Sequence, residues 1–139
     1  MEKLVVVGLG LIGGSLALDL KDKCGYKVFG IDKNAEHIKK AIDLGIIESE
    51  IKMDEISDAS IVIVAVPVDK IPKVLLEVLE VVSDKTLVFD VGSVKNEICK
   101  TVQNHPKRKN FVATHPLAGT EYSGPEAAIR NLFDEKVTI

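Results

Sequence analysis

Three glycines, Gly8, Gly10 and Gly13, break an apolar run that reads L-V-V-V-G-L-G-L-I-G-G-S over residues 4–15, and an acidic residue, Asp32, follows 19 positions after the last of them. Glycines so spaced behind a strand do three jobs. Gly8 makes a tight turn, Gly10 lets the backbone approach a pyrophosphate, and Gly13 lets the next helix pack closely on the strand. That helix turns its free N–H groups and positive dipole end toward the phosphates. The candidate dinucleotide contacts are therefore Gly8, Leu9, Gly10, Leu11, Ile12 and Gly13. Asp32 can accept hydrogen bonds from the adenosine ribose and repel a ribose phosphate, which favours NAD over NADP. Lys33 works the other way, since a cation there could hold that phosphate, and NADP stays open. The plainer alternatives are a glycine turn without a ligand and, for Asp32, a turn or cap residue ahead of Asn34.

A second group of residues carries the chemistry of a substrate. An imidazole is suited to take a proton at neutral pH, and His115 closes an apolar run just before Pro116, which holds it in extended backbone. The loop that follows, L-A-G-T-E-Y-S-G over residues 117–124, has the small residues of a segment that a ligand approaches, with Gly119 and Thr120 as candidate substrate contacts. His115 is the candidate general base; the alternative is a strand-end histidine satisfied by a backbone bond. Ser93 lies between an apolar run and a helical stretch, which suits an N-cap, and a hydroxyl there would also face a substrate. Lys95 is either a solvated first-turn lysine or an anion contact. Val66, Pro67 and Val68 suit an apolar wall beside the cofactor. His37, His105 and the basic cluster at 105–109 read as surface.

These groups need a frame to bring them together. Apolar runs alternate with amphipathic stretches along the chain, the pattern of strands buried on both faces and covered by connecting helices. Strands are expected at residues 4–7, 27–32, 61–66, 86–91, 111–114 and 136–139, with a short strand or loop in the mixed stretch 46–60. Helices are expected at 11–23, ended by Gly25, and from Asn34 to Gly45 with Ile38, Ala41, Ile42 and Leu44 on one face. Others should start at Asp69, with Val74, Leu75, Val78, Leu79 and Val82 buried, at Ser93, running to about Gln103, and at Pro125, running to about Leu132. The class is α/β: a Rossmann-type doubly wound, mostly parallel sheet with helices on both faces. Ligands of such sheets gather at the carboxyl ends of the strands, where Gly8, Val66, Ser93 and His115 would all lie.

A chain of 139 residues suits one domain with a substantial core. Its 18 basic and 21 acidic side chains are interspersed, net charge −3, which gives no footing to nucleic acid or an anionic membrane. Residues 4–18 are uncharged, yet they are shorter than the roughly 20 residues of a membrane span. Glycines interrupt them, and no A-x-A cleavage site follows. Cys24 and Cys99 match neither a metal-ligand spacing nor a disulfide framework, so no metal is expected and the thiols suit a reduced, cytoplasmic protein.

Four segments together carry a resemblance: G-L-G-L-I-G-G-S at 8–15, A-V-P-V at 65–68, D-V-G-S-V-K at 90–95 and T-H-P-L-A-G-T-E-Y-S-G-P at 114–125. Over essentially its whole length the chain resembles the cofactor-binding domain of prephenate dehydrogenases and the similar arogenate dehydrogenases. The resemblance implies oxidation of a cyclohexadienol with loss of carbon dioxide, giving an aromatic product on the path to tyrosine. It implies that His115 is the catalytic histidine and that Ser93 contacts the substrate hydroxyl. Family members continue into a helical domain that makes a homodimer and supplies cations to the substrate carboxylates. Lacking it, residues 1–139 are expected to bind the dinucleotide with little or no turnover, and only Lys95 and Arg130 are nearby cations. The other readings are a dinucleotide-binding regulatory or sensor module and a dehydrogenase of arogenate or another small substrate.

Overall fold

Leu4, Val5, Val6 and Val7 of strand β1 (Lys3–Val7) are each at most 3% exposed, so both faces of this strand are covered. Such burial is the mark of a parallel sheet between helical layers. A computed structural model describes residues 1–118 and 124–139. After β1 come α1 (Leu11–Cys24), β2 (Lys27–Ile31), α2 (Ala35–Asp43), β3 (Ser49–Glu50) and β4 (Ile61–Val64). Then follow α3 (Ile71–Val81), β5 (Leu87–Asp90), α4 (Asn96–Val102) and β6 (Phe111–Ala113). The strands form one parallel sheet in the order β3-β2-β1-β4-β5-β6, so the winding direction reverses between β1 and β4.

Each face has its own core. Leu4 and Val6 pack with Ala17 and Leu18 of α1 and Ile38 and Ala41 of α2. Val5 and Val7 pack with Leu75, Val78 and Leu79 of α3 and Ile98 and Val102 of α4. Gly25 ends α1 in the left-handed conformation (φ 72°), its N–H returning to Lys21 and Leu20 carbonyls. Asn34 caps α2, its side chain accepting the Glu36 N–H at 2.9 Å. The mixed stretch hides the third strand, pinned by the buried Ile46, Ile47, Ile56 and Ala59.

Several expected elements are altered. Ile42 and Leu44 are 41% and 53% exposed, so the buried face of α2 is only Ile38 and Ala41. A 3₁₀ turn (Val68–Lys70) delays α3 to Ile71. The helix α4 starts at Asn96, three residues past Ser93, so Ser93 does not cap it. Residues 136–139 form no parallel strand; they return antiparallel along 115–117, with the His115 N–H donating to the Ile139 carbonyl at 2.6 Å and the Leu117 N–H to Val137 at 2.8 Å. The helix expected from Pro125 is one 3₁₀ turn (Pro125–Ala127). Two side chains of α1 take amides beyond that turn: Ser15 Oγ accepts the Ile129 N–H at 3.0 Å and Asp19 Oδ1 the Asn131 N–H at 2.8 Å. Asn131 itself is left-handed (φ 64°), which a helix excludes.

Candidate functional site

Gly8 and Gly13 do the turn and packing jobs that their spacing predicts. Gly8 has φ 99°, and a Cβ there would stand 2.5 Å from the Ala65 carbonyl oxygen at the end of β4. A Cβ on Gly13 would stand 2.1 Å from the Gly8 carbonyl oxygen, so only glycine lets α1 sit this close to the strand. Around Gly10 a Cβ would meet nothing within 4 Å, which leaves open space at the position where the backbone should meet a pyrophosphate. The surroundings of these three residues fit a dinucleotide.

Asp32, just past β2, closes the turn from the other side. Its Oδ2 accepts the Leu9 N–H at 2.8 Å, and its Oδ1 accepts the Asn34 N–H at 2.8 Å. The turn role is thus real, and it coexists with a carboxylate at the end of β2, its side chain 14% exposed. His37, read as a plain surface residue, places Nδ1 3.5 Å from Asp32 Oδ2. Leu9 acts through its main chain alone, its amide donated to Asp32 and its side chain wholly buried. Leu11 and Ile12 are half-buried on the first turn of α1, Lys33 is exposed, and Val66, Pro67 and Val68 follow the end of β4 with the last two exposed.

Strand register aligns the rest. Val7 pairs with Val64, Val64 with Asp90, and Asp90 with Ala113, so Gly8, Ala65, Val91 and Thr114 leave the sheet in one row. At about 4.8 Å per strand the row is roughly 14 Å long. Ser93 is exposed two residues beyond this row, and His115 is half-buried one residue beyond it. Backbone pairing with Ile139 uses the main chain of His115, whereas its imidazole has no hydrogen-bond partner among the described residues. Gly119 and Thr120 lie outside the described residues.

The two candidate substrate cations, Lys95 and Arg130, already have carboxylate partners. Lys95 is half-buried and is not a free anion contact: its Nζ pairs with Asp90, whose carboxylate is fully buried. Arg130 pairs through Nε with Asp22 Oδ2 at 2.6 Å in the last turn of α1, at the edge opposite the strand ends. His105 is largely buried, Nε2 lying 2.9 Å from Glu80 Oε1 while Nδ1 accepts the Lys107 N–H at 3.0 Å, and Lys107 Nζ donates to the Val82 carbonyl. Neither Asp90 nor the clasp of Ser15 and Asp19 was singled out by sequence. The signal for each was a polar residue among buried apolar neighbours.

A doubly wound parallel sheet with a glycine turn at its switch point and an acidic residue ending the second strand defines a Rossmann-type nucleotide-binding domain. The family model described as "Prephenate dehydrogenase, nucleotide-binding domain" matches residues 16–139, and the chain belongs to that family. The prephenate dehydrogenase of Bacillus subtilis is 36% identical over 138 residues, 96% of this chain and 37% of the relative. The cyclohexadienyl dehydrogenase of Zymomonas mobilis is 31% identical, over 99% of this chain and 48% of the relative. A crystal structure of A. aeolicus prephenate dehydrogenase in complex with hydroxyphenyl propionate and NAD+ superposes with a TM-score of 0.89 at 34% identity, covering 99% of this chain and 49% of that one. The chain thus spans half or less of the length of these relatives. Among the described residues, no helix is long and apolar enough to cross a membrane.

Proposed function

We propose that this chain binds NAD and forms the cofactor part of a cytoplasmic dehydrogenase that converts prephenate to 4-hydroxyphenylpyruvate by oxidative decarboxylation. The observation that carries the reading is the aligned row of strand ends, which puts the glycine turn, the Ser93 loop and His115 on one edge of the sheet. Gly8 to Gly13 would hold the pyrophosphate and Asp32 the adenosine ribose, its negative charge favouring NAD over NADP. When bound, the nicotinamide supplies a hydride acceptor. His115, in its neutral form, accepts the proton of the substrate hydroxyl as that carbon is oxidised, and the Ser93 hydroxyl orients the same oxygen. The ring carboxylate then departs as carbon dioxide, driven by aromatisation.

Prephenate carries two carboxylates, and the cations Lys95 and Arg130 already have carboxylate partners. Turnover therefore needs cations from outside these residues, such as those of the helical domain that the resemblance implies, which would also make the homodimer. The test measures NADH formation with prephenate and with arogenate, for this chain alone and joined to the helical part of a relative. Both forms should bind NAD, only the joined form should turn over, and His115→Asn should lower kcat on the order of 100- to 10,000-fold with NAD affinity retained. Cofactor binding without turnover in the joined form would favour a binding module. Turnover only with an unrelated alcohol would favour another substrate class.

A further inference from the structure

We propose that Asp90 is a positioning residue whose buried carboxylate ties the loop bearing Ser93 to the loop bearing His115. The proposal rests on the roles proposed above for those two residues. Asp90 ends β5 and is fully buried. Its Oδ2 accepts the Gly92 N–H at 2.9 Å and pairs with Lys95 Nζ, so one oxygen grips both sides of Ser93. Its Oδ1 accepts the N–H of Thr114, the residue before His115, at 3.3 Å, and its main-chain oxygen accepts the Thr114 hydroxyl. One side chain thus fixes the residue ahead of each candidate catalytic group. The packing of Gly92 has the same origin, since a Cβ there would stand 3.1 Å from Asp90 Oδ2 and 2.8 Å from Ile71 Cδ1.

Stability alone does not account for a carboxylate here. Withdrawing a charge from water is costly, and replacing a buried ion pair with well-packed apolar residues is often neutral or stabilising. An apolar residue would suit the end of this apolar strand, yet it would release Gly92 and Thr114 together. Asp90 and Lys95 therefore act as a molecular tie-bar between two loops that, among the described residues, no shared backbone ladder holds beyond β5 and β6.

The test uses the 139-residue chain and two variants, Asp90→Asn and the double variant Asp90→Leu/Lys95→Met. Three quantities are read: thermal midpoint, NAD affinity, and amide hydrogen exchange at Gly92, Ser93, Thr114 and His115. The double variant should melt near the wild type and bind NAD within about twofold of it. Exchange at Gly92 and Thr114 should nevertheless accelerate together, on the order of tenfold, because both lose a charged acceptor. Asp90→Asn, which keeps one acceptor oxygen, should give a smaller acceleration in the same two loops. Unchanged exchange in both variants, or acceleration at Gly92 without Thr114, would overturn the tie-bar. In the joined form, kcat should fall while KM for NAD holds. If exchange accelerates as described but His115→Asn leaves turnover intact, the positioning stands and the catalytic role of His115 fails.

Discussion

Replacing Asp32 separates two roles that its position superimposes. The carboxylate accepts the Leu9 N–H from the glycine turn and the Asn34 N–H ahead of α2, both at 2.8 Å. In Asp32→Ala both donors lose their acceptor, and Leu9 is a buried residue of that turn. An orphaned buried donor costs about 1–3 kcal/mol, or roughly 4–12 °C of melting temperature for a domain of this size. The same change removes the charged acceptor for the ribose, about 1.5–3 kcal/mol, or roughly a 10- to 150-fold weaker NAD complex. Asp32→Asn keeps one acceptor oxygen and removes the charge. It should recover much of the stability, weaken NAD, and narrow the gap to NADP by removing the repulsion. Calorimetric titration with NAD and NADP, beside thermal melts without ligand, reads both roles in one preparation. NAD affinity unchanged in both variants, with melting lowered in Asp32→Ala, would show that Asp32 only braces the turn and would refute the ribose assignment.

The first two turn glycines should respond in opposite ways: Gly8→Ala, at φ 99° with a Cβ 2.5 Å from the Ala65 oxygen, should unfold or sharply destabilise the domain, whereas Gly10→Ala should melt normally and lose dinucleotide affinity by titration. Asp19→Ala should release the Asn131 amide and cost about 1–3 kcal/mol in denaturant unfolding, with faster proteolysis of the segment after Pro125. The Glu126 carboxyl is held below its usual value of 4.5, chiefly by its own backbone amide and further by Lys40 and His37. Because the folded value is the lower one, its stabilisation is complete above pH 4.5 and is lost as the pH falls through the depressed value, an acid titration that side-chain NMR of Glu126 and Lys40 can follow.

The carboxyl edge of the sheet was legible because glycine spacing and strand burial are local signals. Gly8, Gly13, Gly25 and Asn34 each act through neighbours close in sequence or through one strand contact, and the structure gives them the expected places. What escaped was set by side-chain partners, some near in sequence and some far, that strand and turn patterns do not reveal. Ser93 follows a strand as a cap should, yet Asp90 draws Gly92 and Lys95 inward and the helix begins beyond them. Pro125 opens a helical turn as proline does, but Ser15 and Asp19, over a hundred residues away, capture the next amides. His37 and His105 looked alike as isolated polar residues, and only folding gave them Asp32 and Glu80 as neighbours.

The antiparallel return of residues 136–139 brings Ile139 back beside His115, main chain to main chain. Anything fused through a linker at Ile139 would therefore emerge beside the main chain of His115, while Met1, 97% exposed, precedes the amino end of β1 at the far edge. An affinity handle for purification belongs at Met1, and Ile139 serves as the junction for joining the helical part of a relative.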